Sequence, residues 1–583
     1  MPALVLVTSL GRNDEHVRRT TADVVLAPLM ADGRRATVHL DVADHFVASL
    51  SRRSGQPELI QTWSDDRFHV VLEGYFAGET GSAGDAAFVG GLLPRGHAAL
   101  ARLSGSFVLI AIDRLDRTVT VWTDRGGTRP IFISSSDGVA VVAPELKCFR
   151  GLPGVDTTLV PGSLAAMSLN GALLNEHTYY RGVQLIGPAR RVTITAHQGV
   201  RVDRYWQRSF ELDAGRRPPT AAEVVQTLCD ATRRHLAPFR RPVLALSGGL
   251  DSRLILAAAR RAGLDLPAVS WGFDHVAEPG SDCQTAAELA RRGGTSHRLL
   301  RLDVDALPDH AERIVYLTDG LTGHIGNYVE GEQTARTLAG EFDAVVRGDE
   351  VFDGYPPVPS RASALEHLGV KVGKRLWWLR FLLRRDVRRV VLDDYAAQCQ
   401  GLLDTVPAAT PPSDVTDILY PQNRFPRVIA SQSPVFRAHL DVVCPLMDSA
   451  VVDLVLPCTR AQRAEKRHVL ACVRAEFPDE FGLPLAVQHS RTSWRTRFRQ
   501  LGRVQRYFVE TLLEPLAAFD LWFDRTAIRA WLEHALAEGA RAPWPARRTL
   551  SARARAYLLR PTFKERVVAN LVALKLWFKL FES

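Results

Sequence analysis

The chain has 583 residues and a net charge of +9, with 46% hydrophobic and 23% charged residues. This composition is typical of a globular protein, and the length is ample for two or three cores. Seven cysteines are scattered without a CxxC pair. Such usage excludes a disulfide framework and a zinc site, and it predicts reduced, mostly buried thiols.

Neither end of the chain carries a membrane-targeting pattern. The first ten residues are apolar, but they lack a basic region and a small-residue cleavage site, so we interpret them as a strand. The late apolar run 567–581 contains Lys575 and Lys579 and is shorter than the roughly 20 residues of a membrane-spanning helix. We therefore expect a soluble, cytoplasmic protein with no transmembrane segment.

Residues 1 to about 205 are rich in predicted strands, and no long amphipathic helix dominates this part of the chain. Short β-branched or aromatic segments alternate with Gly and Asp turns. The clearest predicted strands are 68–71, 106–112, 118–123 and 131–134. A polar stretch with two prolines, 211–219, then indicates a linker.

After the linker the pattern becomes an alternation of helices and strands. Predicted helices at 221–235, 253–261 and 282–292 alternate with predicted strands at 243–246, 268–271 and 298–302. This order is typical of a doubly wound parallel sheet. Beyond about residue 390 the pattern is mostly helical.

The segment 244–253 (LALSGGLDSR) lies where a predicted parallel strand turns into a helix. Ligands of open α/β sheets bind at such places. Gly248 and Gly249 permit a tight turn around an anion, and the helix N-terminus offers free N–H groups to a phosphate. Asp251 repels phosphate unless Mg²⁺ bridges the two. No Walker-type G-x-x-x-x-G-K-[ST] loop occurs here.

A second motif follows about a hundred residues later, at 345–355 (VVRGDEVFDGY). An apolar strand that ends in Gly348 and Asp349 places another carboxylate at the carboxyl edge of the same predicted sheet. The sequence therefore places two acidic groups, Asp251 and Asp349, at one edge of the predicted sheet.

These motifs resemble a known family. Segment 247–252 is similar to the S-G-G-x-D-S loop of the ATP pyrophosphatases, and 348–355 resembles the G-S-D-E-x-F-G-G-Y stretch of asparagine synthetases, aligning Asp349, Glu350, Phe352, Gly354 and Tyr355. Phe273, Ser281-Asp282, Ala286 and Gly294-x-x-His297 also follow the family's spacing. The resemblance implies ATP and Mg²⁺, with Asp251 and Asp349 on the metal. It also implies an ATP and pyrophosphate site of Leu246, Ser247, Gly248, Gly249, Asp251, Ser252, Gly272 and Gly348.

Two further positions are predicted to be catalytic. Segment 465–470 (EKRHVL) resembles the family's K-x-x-L-R helix start, which gives Lys466 the role of stabilising the pyrophosphate leaving group. The family's S-G-E-G-S segment is shortened here, and we predict that Arg347 takes over a phosphate contact. The family's later R-P-K-x-G segment is not recognisable, because 488–492 (QHSRT) has no lysine.

The first 207 residues resemble a class II glutamine amidotransferase domain, through segments such as 104–107 (SGSF) and 124–130 (DRGGTRP). That family's nucleophile is an N-terminal cysteine, but here Pro2 follows Met1 and the first cysteine is Cys148. Glu73-Gly74 stands where the family has an Asn-Gly pair, and a carboxylate there repels an oxyanion. We predict a domain that does not hydrolyse glutamine.

The segment 371–389 (KVGKRLWWLRFLLRRDVRR) interleaves three aromatic residues with eight basic ones. We interpret it as a basic amphipathic helix. Such a helix binds a peptide, a carrier or a membrane surface, or packs its aromatic residues onto its own domain.

The predicted fold class is α/β, with an Ntn-type αββα sandwich followed by a doubly wound parallel sheet with helical additions. The predicted domains are 1–207, a linker at 208–219, and 220–583. The predicted reaction is adenylation of a small-molecule or peptide carboxylate and then amide formation, in specialised metabolite or lasso-type peptide biosynthesis. Asparagine formation from ammonia and a non-catalytic scaffold remain open, whereas a nucleic-acid partner is not expected.

Overall fold

The computed structural model describes residues 3–10, 15–31, 33–42, 44–51, 59–78, 84–95, 97–136, 138–210, 217–273, 280–349, 357–376, 378–486, 494–500, 502–540 and 561–582. Within these ranges, no helix is long and apolar enough to cross a membrane. The seven cysteines are free, and all but the half-buried Cys444 are buried, which confirms the prediction of buried thiols.

The N-terminal part contains two antiparallel sheets of six strands each among the described residues. One has the order β10-β8-β9-β1-β3-β2 and the other β12-β11-β7-β6-β5-β4. Their bounds are β1 Ala3–Ser9, β2 Arg35–Val42, β3 His45–Ser51, β4 Ile60–Ser64, β5 Phe68–Phe76, β6 Gly105–Asp113, β7 Thr118–Thr123, β8 Ile131–Ser136, β9 Val139–Ala143, β10 Gln184–Ile186, β11 Arg190–Thr195 and β12 Gly199–Arg204.

The two sheets pack face to face, and helices cover both outer faces. Alternate residues of the strands, among them Leu6, Val108 and Ile133, form one core between the sheets. Helix α1 (Glu15–Ala31) covers the first sheet, and α2 (Asp85–Leu92), followed by α3 (His97–Leu100), lies on the second. Helix α4 (Pro161–Asn170) follows the sheets and packs on helices of the second half of the chain. This arrangement confirms the αββα sandwich.

Helix α1 is the longest element of this half, and the sequence pattern did not indicate it. Its buried face is formed by Ala22, Val25, Leu26 and Leu29, at the spacing of one helical stripe. Two adjacent threonines and an internal proline, Pro28, weaken the local helical signal. Helix α1 therefore forms because its apolar stripe packs on the first sheet.

The second half is built on a five-stranded sheet in which every pairing is parallel, with the order β15-β14-β13-β16-β17. Its strands are β13 Pro242–Ala245, β14 Ala268–Gly272, β15 His297–Arg301, β16 Ala344–Val346 and β17 Asp441–Val443. The chain runs outward from β13 to β15 and then returns to the other side of β13. The strand order thus reverses between β13 and β16, which creates a crevice at their carboxyl ends.

Helices pack on both faces of this sheet, as the doubly wound prediction requires. Leu244 and Val346 face a core shared with α5 (Ala221–Leu236) and α6 (Leu250–Arg261), while Val243 and Val345 face α9 (Ile325–Leu338). The remaining connections on the sheet include α7 Asp282–Arg292 and α8 Leu307–Leu317.

The region after β16 is mainly helical. Its helices are α10 Arg361–His367, α11 Leu379–Leu382, α12 Arg388–Asp404, α13 Pro412–Leu419, a π-helix Tyr420–Ile429, α14 Ser433–Arg437, α15 Ser449–Asp453, α16 Arg460–Arg463, α17 Arg467–Glu476, α18 Pro478–Phe481, α19 Trp494–Arg499, α20 Arg503–Leu513, α21 Ala517–Asp520, α22 Arg525–Ala540 and α23 Pro561–Phe581. Helix α23 is buried in one core with α4 of the sandwich and with α8 and α20.

Candidate active site

The predicted site residues meet in one cleft at the crevice between β13 and β16. The cleft has a volume of about 650 Å³. The loop after β13 forms one wall, and Arg347, Gly348 and Asp349 after β16 form another. Of the predicted ATP-site residues, the cleft is lined by Leu246, Ser247, Gly249, Asp251, Ser252, Gly272 and Gly348.

Hydrogen bonds within the loop hold the turn after β13 in place. The backbone N–H of Ser247 donates to Oγ of Ser252 at 3.0 Å, and the two hydroxyl oxygens lie 2.9 Å apart. Helix α6 then begins at Leu250 without a side-chain cap. Its first N–H groups therefore have no side-chain acceptor of their own, which is the arrangement that binds phosphate at a helix N-terminus.

Gly248 is required by packing, because a Cβ there would lie 2.7 Å from Cβ of Ala486 and 2.9 Å from Cβ of Thr285. Its N–H donates to Oδ1 of Asp282 at 3.0 Å, so this group is already engaged within the protein. Gly348 is required by the approach of the two loops, since a Cβ there would lie 2.7 Å from the carbonyl carbon of Asp251. The two motifs are thus in direct contact.

Each of the two predicted metal-binding carboxylates is paired with one of the two predicted catalytic cations. Nζ of Lys466 lies 2.9 Å from Oδ1 of Asp251. Nε of Arg347 lies 2.8 Å from Oδ2 of Asp349. The structure therefore brings together all four charged residues that the sequence singled out.

The electrostatics of these pairs reflect a closely spaced, partly buried set of charges. Burial raises the pKa of Asp251; the ammonium of Lys466 opposes this shift, and the carboxylate of Asp349 adds to it. Burial by itself lowers the pKa of Arg347, but the Asp349 carboxylate outweighs burial and the pKa rises. The repulsion between the two carboxylates is what a bound cation would relieve.

The donor set fits Mg²⁺ bound together with nucleotide phosphates. Among the described residues, no cluster of three or more His, Cys, Asp or Glu side chains is arranged to hold a metal. Mg²⁺ is usually held by only one or two carboxylates plus substrate phosphates. Asp251 and Asp349 would supply the carboxylates, on condition that Lys466 and Arg347 release them.

Lys466 is held in an unusual backbone conformation. Both Glu465 (φ 56°) and Lys466 (φ 59°) lie in the left-handed region, immediately before α17 begins at Arg467. Non-glycine residues in this region each cost about 1–3 kcal/mol and cluster at functional sites. This kink directs the lysine side chain to Asp251 across 215 positions of sequence.

The cleft also contains residues that the sequence analysis did not assign to the site: Trp271, Phe273, Asp282, Cys283, Asn327 and Glu330. Phe273 and Asp282 follow the family spacing, and that signal could have assigned them. Glu330 and Asn327 lie on α9, where nothing local distinguishes them from other polar helix residues. Burial raises the pKa of Glu330 to about 7.

Arg253, which follows the loop serine, has a structural position. Its guanidinium donates to the backbone carbonyls of Gly248 at 3.1 Å and Leu483 at 2.7 Å. It also donates to the carbonyls of Glu480 and Pro484. Arg253 therefore links the loop after β13 to the segment that follows α18 by hydrogen bonds.

In the sandwich, the side chain of Glu73 is buried, and its carboxylate already accepts hydrogen bonds from groups of the protein. It accepts hydrogen bonds from the backbone N–H of Leu4 at 3.1 Å and from the guanidinium of Arg129 at 3.2 Å. Arg129 also donates to Asp441 of β17 at 2.9 Å, and Asp441 is bound by Arg437 at 3.1 Å. A continuous buried charge network thus crosses from the sandwich to the parallel sheet.

The prediction of one basic amphipathic helix at 371–389 is wrong. The segment forms a short 3₁₀ turn at Gly373–Leu376, the single-turn helix α11, an isolated bridge from Leu383 to Phe523, and then the start of α12. The backbone N–H of Arg384 pairs with the carbonyl of Trp522. Trp378 is buried and Phe381 is exposed, so pairing with the 522–523 strand-like segment interrupts the helix.

Several predicted features lie outside the described residues. These are Pro2, Glu350 and the rest of the second motif through Tyr355, Trp377, and segment 488–492.

The fold and the cleft define a protein class: an Ntn amidotransferase-like sandwich joined to an α/β domain with a phosphate-type loop at its switch point. The family model described as asparagine synthase matches residues 223–565, and the glutamine amidotransferase domain model matches residues 85–206. The chain belongs to the asparagine synthase family.

Curated relatives match parts of the chain. Glutamine-hydrolyzing asparagine synthetase 3 of Bacillus subtilis (strain 168) is 25% identical over 272 residues, which are 44% of each chain. A putative glutamine-hydrolyzing asparagine synthetase of Mycobacterium bovis is 27% identical over 45% of this chain and 41% of its own. The 7-cyano-7-deazaguanine synthase of Nitrosospira multiformis is 35% identical over 20% of this chain and 51% of its own. The matches thus span about half or less of these relatives.

Among solved structures, a glutamine phosphoribosylpyrophosphate amidotransferase of B. subtilis covers 51% of this chain and 65% of its own, at 14% identity. Its TM-score of 0.24 is too low to carry an argument.

Proposed function

We propose that the protein uses ATP to adenylate a carboxylate, releases pyrophosphate, and then forms an amide bond with an amine or ammonia. The observation that carries this proposal is the cleft's charge pattern: after β13, Asp251 is paired with Lys466 from the segment before α17, and after β16, Asp349 is paired with Arg347 of its own loop. Family membership supports the same class of chemistry.

In the proposed reaction, the loop of Ser247 and Gly249 and the hydroxyl of Ser252 hold the β- and γ-phosphates at the start of α6. Asp251 and Asp349 would hold Mg²⁺, which neutralises phosphate charge when bound. The ammonium of Lys466 then leaves Asp251, binds the departing pyrophosphate and stabilises the negative charge of the pyrophosphate. Arg347 exchanges Asp349 for a phosphate oxygen in the same way.

We further propose that glutamine is not the nitrogen source, although the chain belongs to a family whose relatives are named as glutamine-hydrolyzing. Support comes from Glu73, whose buried carboxylate is bound by Arg129 at the position of the expected oxyanion amide. A sandwich that does not hydrolyse glutamine would favour specialised metabolism, including lasso-type macrolactam formation, over asparagine synthesis from ammonia.

The substrate in this proposal is a small-molecule or peptide carboxylate. A peptide or carrier would bind at 371–389, where Phe381 is half exposed among exposed arginines. The proposed domain limits are 1–207 and 220–583. Helix α5 begins just after the second limit, with a capping box of Thr220 and Glu223.

The test is separation of the nucleotides after incubation with ATP, Mg²⁺ and a panel of carboxylates that includes candidates from the neighbouring genes. AMP and pyrophosphate are expected as products, because the loop grips the terminal phosphates and leaves the α-phosphorus open to attack. ADP and phosphate would contradict the proposal.

Asp251→Asn and Asp349→Asn should each abolish this turnover, since each removes a charge that holds Mg²⁺ against phosphate oxygens. Asp479→Asn, at an exposed position of α18, is the matched control and should retain it. A non-catalytic scaffold, the rival proposal, would give no AMP with any carboxylate in the wild-type chain.

A further inference from the structure

A group of basic side chains lies beside the cleft but does not line it. It consists of His324, Arg424, Arg495 and Arg566, which we call the arginine cluster. His324 immediately precedes α9, and the arginines come from the π-helix, α19 and α23. Four segments that are far apart in sequence thus converge on one place.

The cluster has an excess of positive charge. The charged groups that act on the His324 ring are the three arginines. Burial first, and then these guanidinium groups, lower the pKa of His324 to about 4, so the ring is neutral at neutral pH. Glu565, the carboxylate that acts on Arg495, is itself paired with Arg499.

Buried polar atoms in the cluster are left without partners. Within the described part of the chain, Nε2 of His324 and Nε of Arg495 are buried and make no hydrogen bond. Such atoms are rare because leaving one unpaired costs about 1–3 kcal/mol. In addition, α9 begins after His324 without a side-chain cap, so its positive N-terminal end adds to the field of the arginines.

The cluster is connected to the cleft through α9. Tyr328 lies one turn beyond His324, with ring centroids 6.3 Å apart, and its hydroxyl is close enough to Arg347 and Asp349 to respond to their charges. Asn327, which lines the cleft, accepts a hydrogen bond at 3.0 Å from Trp494. The guanidinium of Arg495 lies 5.6 Å from the centre of the Trp494 ring.

We propose that the arginine cluster is an anion-binding subsite that holds a second anionic group of the substrate, separate from the carboxylate that is activated. Its assignment to the substrate rests on the proposed function. A carboxylate held by three guanidinium groups is a weak nucleophile, because they stabilise its charge in the ground state. The attacking carboxylate therefore lies outside the cluster, nearer to Asp349.

The test uses succinate as the probe, without nucleotide, on the full-length chain at constant ionic strength. Succinate should raise the thermal midpoint of the wild-type protein in a saturable way. Arg495→Gln and Arg566→Gln should each weaken the apparent succinate affinity by about tenfold, since each removes a charge-assisted hydrogen-bond donor. Arg474→Gln, at an exposed position of α17, is the control and should leave the affinity unchanged.

A midpoint that does not respond to succinate in the wild-type chain, or that responds in both cluster variants as strongly as in the wild-type chain, would overturn the subsite. Arg566 is exposed, so its variant tests the proposal even if Arg495→Gln does not fold. Stabilisation by ATP and Mg²⁺ is measured on the same samples and should persist in all variants. Loss of that response in the wild-type chain would count against the proposed function and not against the anion subsite.

Discussion

At the scale of single residues, Lys466 is the clearest case of a side chain placed for chemistry by its backbone. It and Glu465 occupy left-handed conformations just before α17, and the ammonium reaches a carboxylate in the phosphate-type loop. A solvated helix lysine would not need this kink. The strain is therefore consistent with a positioned leaving-group cation.

Lys466→Met should slow adenylation by about 10²–10³-fold, the usual effect of removing one preorganised charge-stabilising donor. ATP affinity should change little, because charge on the leaving group is greatest in the transition state. The measurement is pyrophosphate release under single-turnover conditions. Arg467→Met, at the neighbouring exposed position, is the control; an equal loss in both variants, or none in Lys466→Met, would remove the lysine from the site.

Glu330 should make stability depend on pH. Burial raises its pKa to about 7 in the folded chain, against an ordinary value of about 4.3 in the unfolded chain. Between these values the folded chain holds more protons than the unfolded chain, so stability falls as pH rises from about 4 to 7. The loss is about 3 kcal/mol at most.

The thermal midpoint of the wild-type chain should therefore fall more between pH 5 and pH 8 than that of Glu330→Gln, whose amide stays neutral and can still accept a hydrogen bond from Trp271. Glu510→Gln, on the exposed face of α20, should follow the wild type. Parallel curves for the wild type and Glu330→Gln would show that this carboxyl titrates in its ordinary range.

At the scale of elements, the network of Glu73, Arg129, Asp441 and Arg437 joins β5 of the sandwich to β17 of the parallel sheet. Burial raises the pKa of Glu73, and the charge of Arg129 opposes that shift. Arg129, which binds both carboxylates, and Arg437, which binds Asp441, together stabilise two buried carboxylates at a junction between sheets.

Arg129→Met should destabilise the chain by about 3–5 kcal/mol, since it leaves the buried carboxylate of Glu73 without its cation and Asp441 with Arg437 alone. Glu73→Gln should cost less, because it removes the buried charge itself and the amide oxygen still accepts from one of the two donors, Leu4 or Arg129. The measurement is the denaturant midpoint of each variant. Arg125→Met removes a more exposed pair with Asp453, at 3.1 Å, and should cost at most about 1 kcal/mol. Equal effects of Arg129→Met and Arg125→Met would contradict this account.

At the scale of the whole molecule, the sandwich serves as a structural partner of the second half. Helix α23, from the far end of the chain, is buried in one core with α4 of the sandwich, and Tyr179 stacks on Trp577 with ring centroids 4.0 Å apart. This packing does not depend on a glutaminase nucleophile, so the sandwich can serve the second half structurally whether or not it hydrolyses glutamine.

Incubation with glutamine and ATP should therefore release no glutamate above a blank, whether or not a carboxylate substrate is present. The physical reason is the buried carboxylate of Glu73, which stands in place of an amide and would repel an oxyanion. Amide formation should instead respond to added ammonia or amine. Stoichiometric glutamate release would mean that the sandwich retains a nucleophile elsewhere.

The sequence by itself indicated the parallel sheet and the two loops that meet at the switch point, which follow from local patterns: strand alternation, Gly-rich turns, and acidic residues at strand ends. It indicated the αββα sandwich through the resemblance of the first 207 residues to a class II glutamine amidotransferase domain. Predicted strand bounds agreed with the structure to within a few residues, and β7 lies at the predicted residues 118–123. The sequence placed Lys466 and Asp251 in the same site, but it did not predict their ion pair, because the two residues are 215 positions apart.

Only the tertiary structure decided the rest. Helix α1 forms because its apolar stripe has a sheet to cover, and segment 371–389 is broken because its backbone pairs with residues 522–523. Arg129 and Asp441 are 312 positions apart, and the arginine cluster draws on four separate segments. Burial and long-range charge interactions are properties of the folded chain, so no local sequence pattern predicts them. An arginine that is buried in the fold and one that is exposed can occur in the same local sequence pattern.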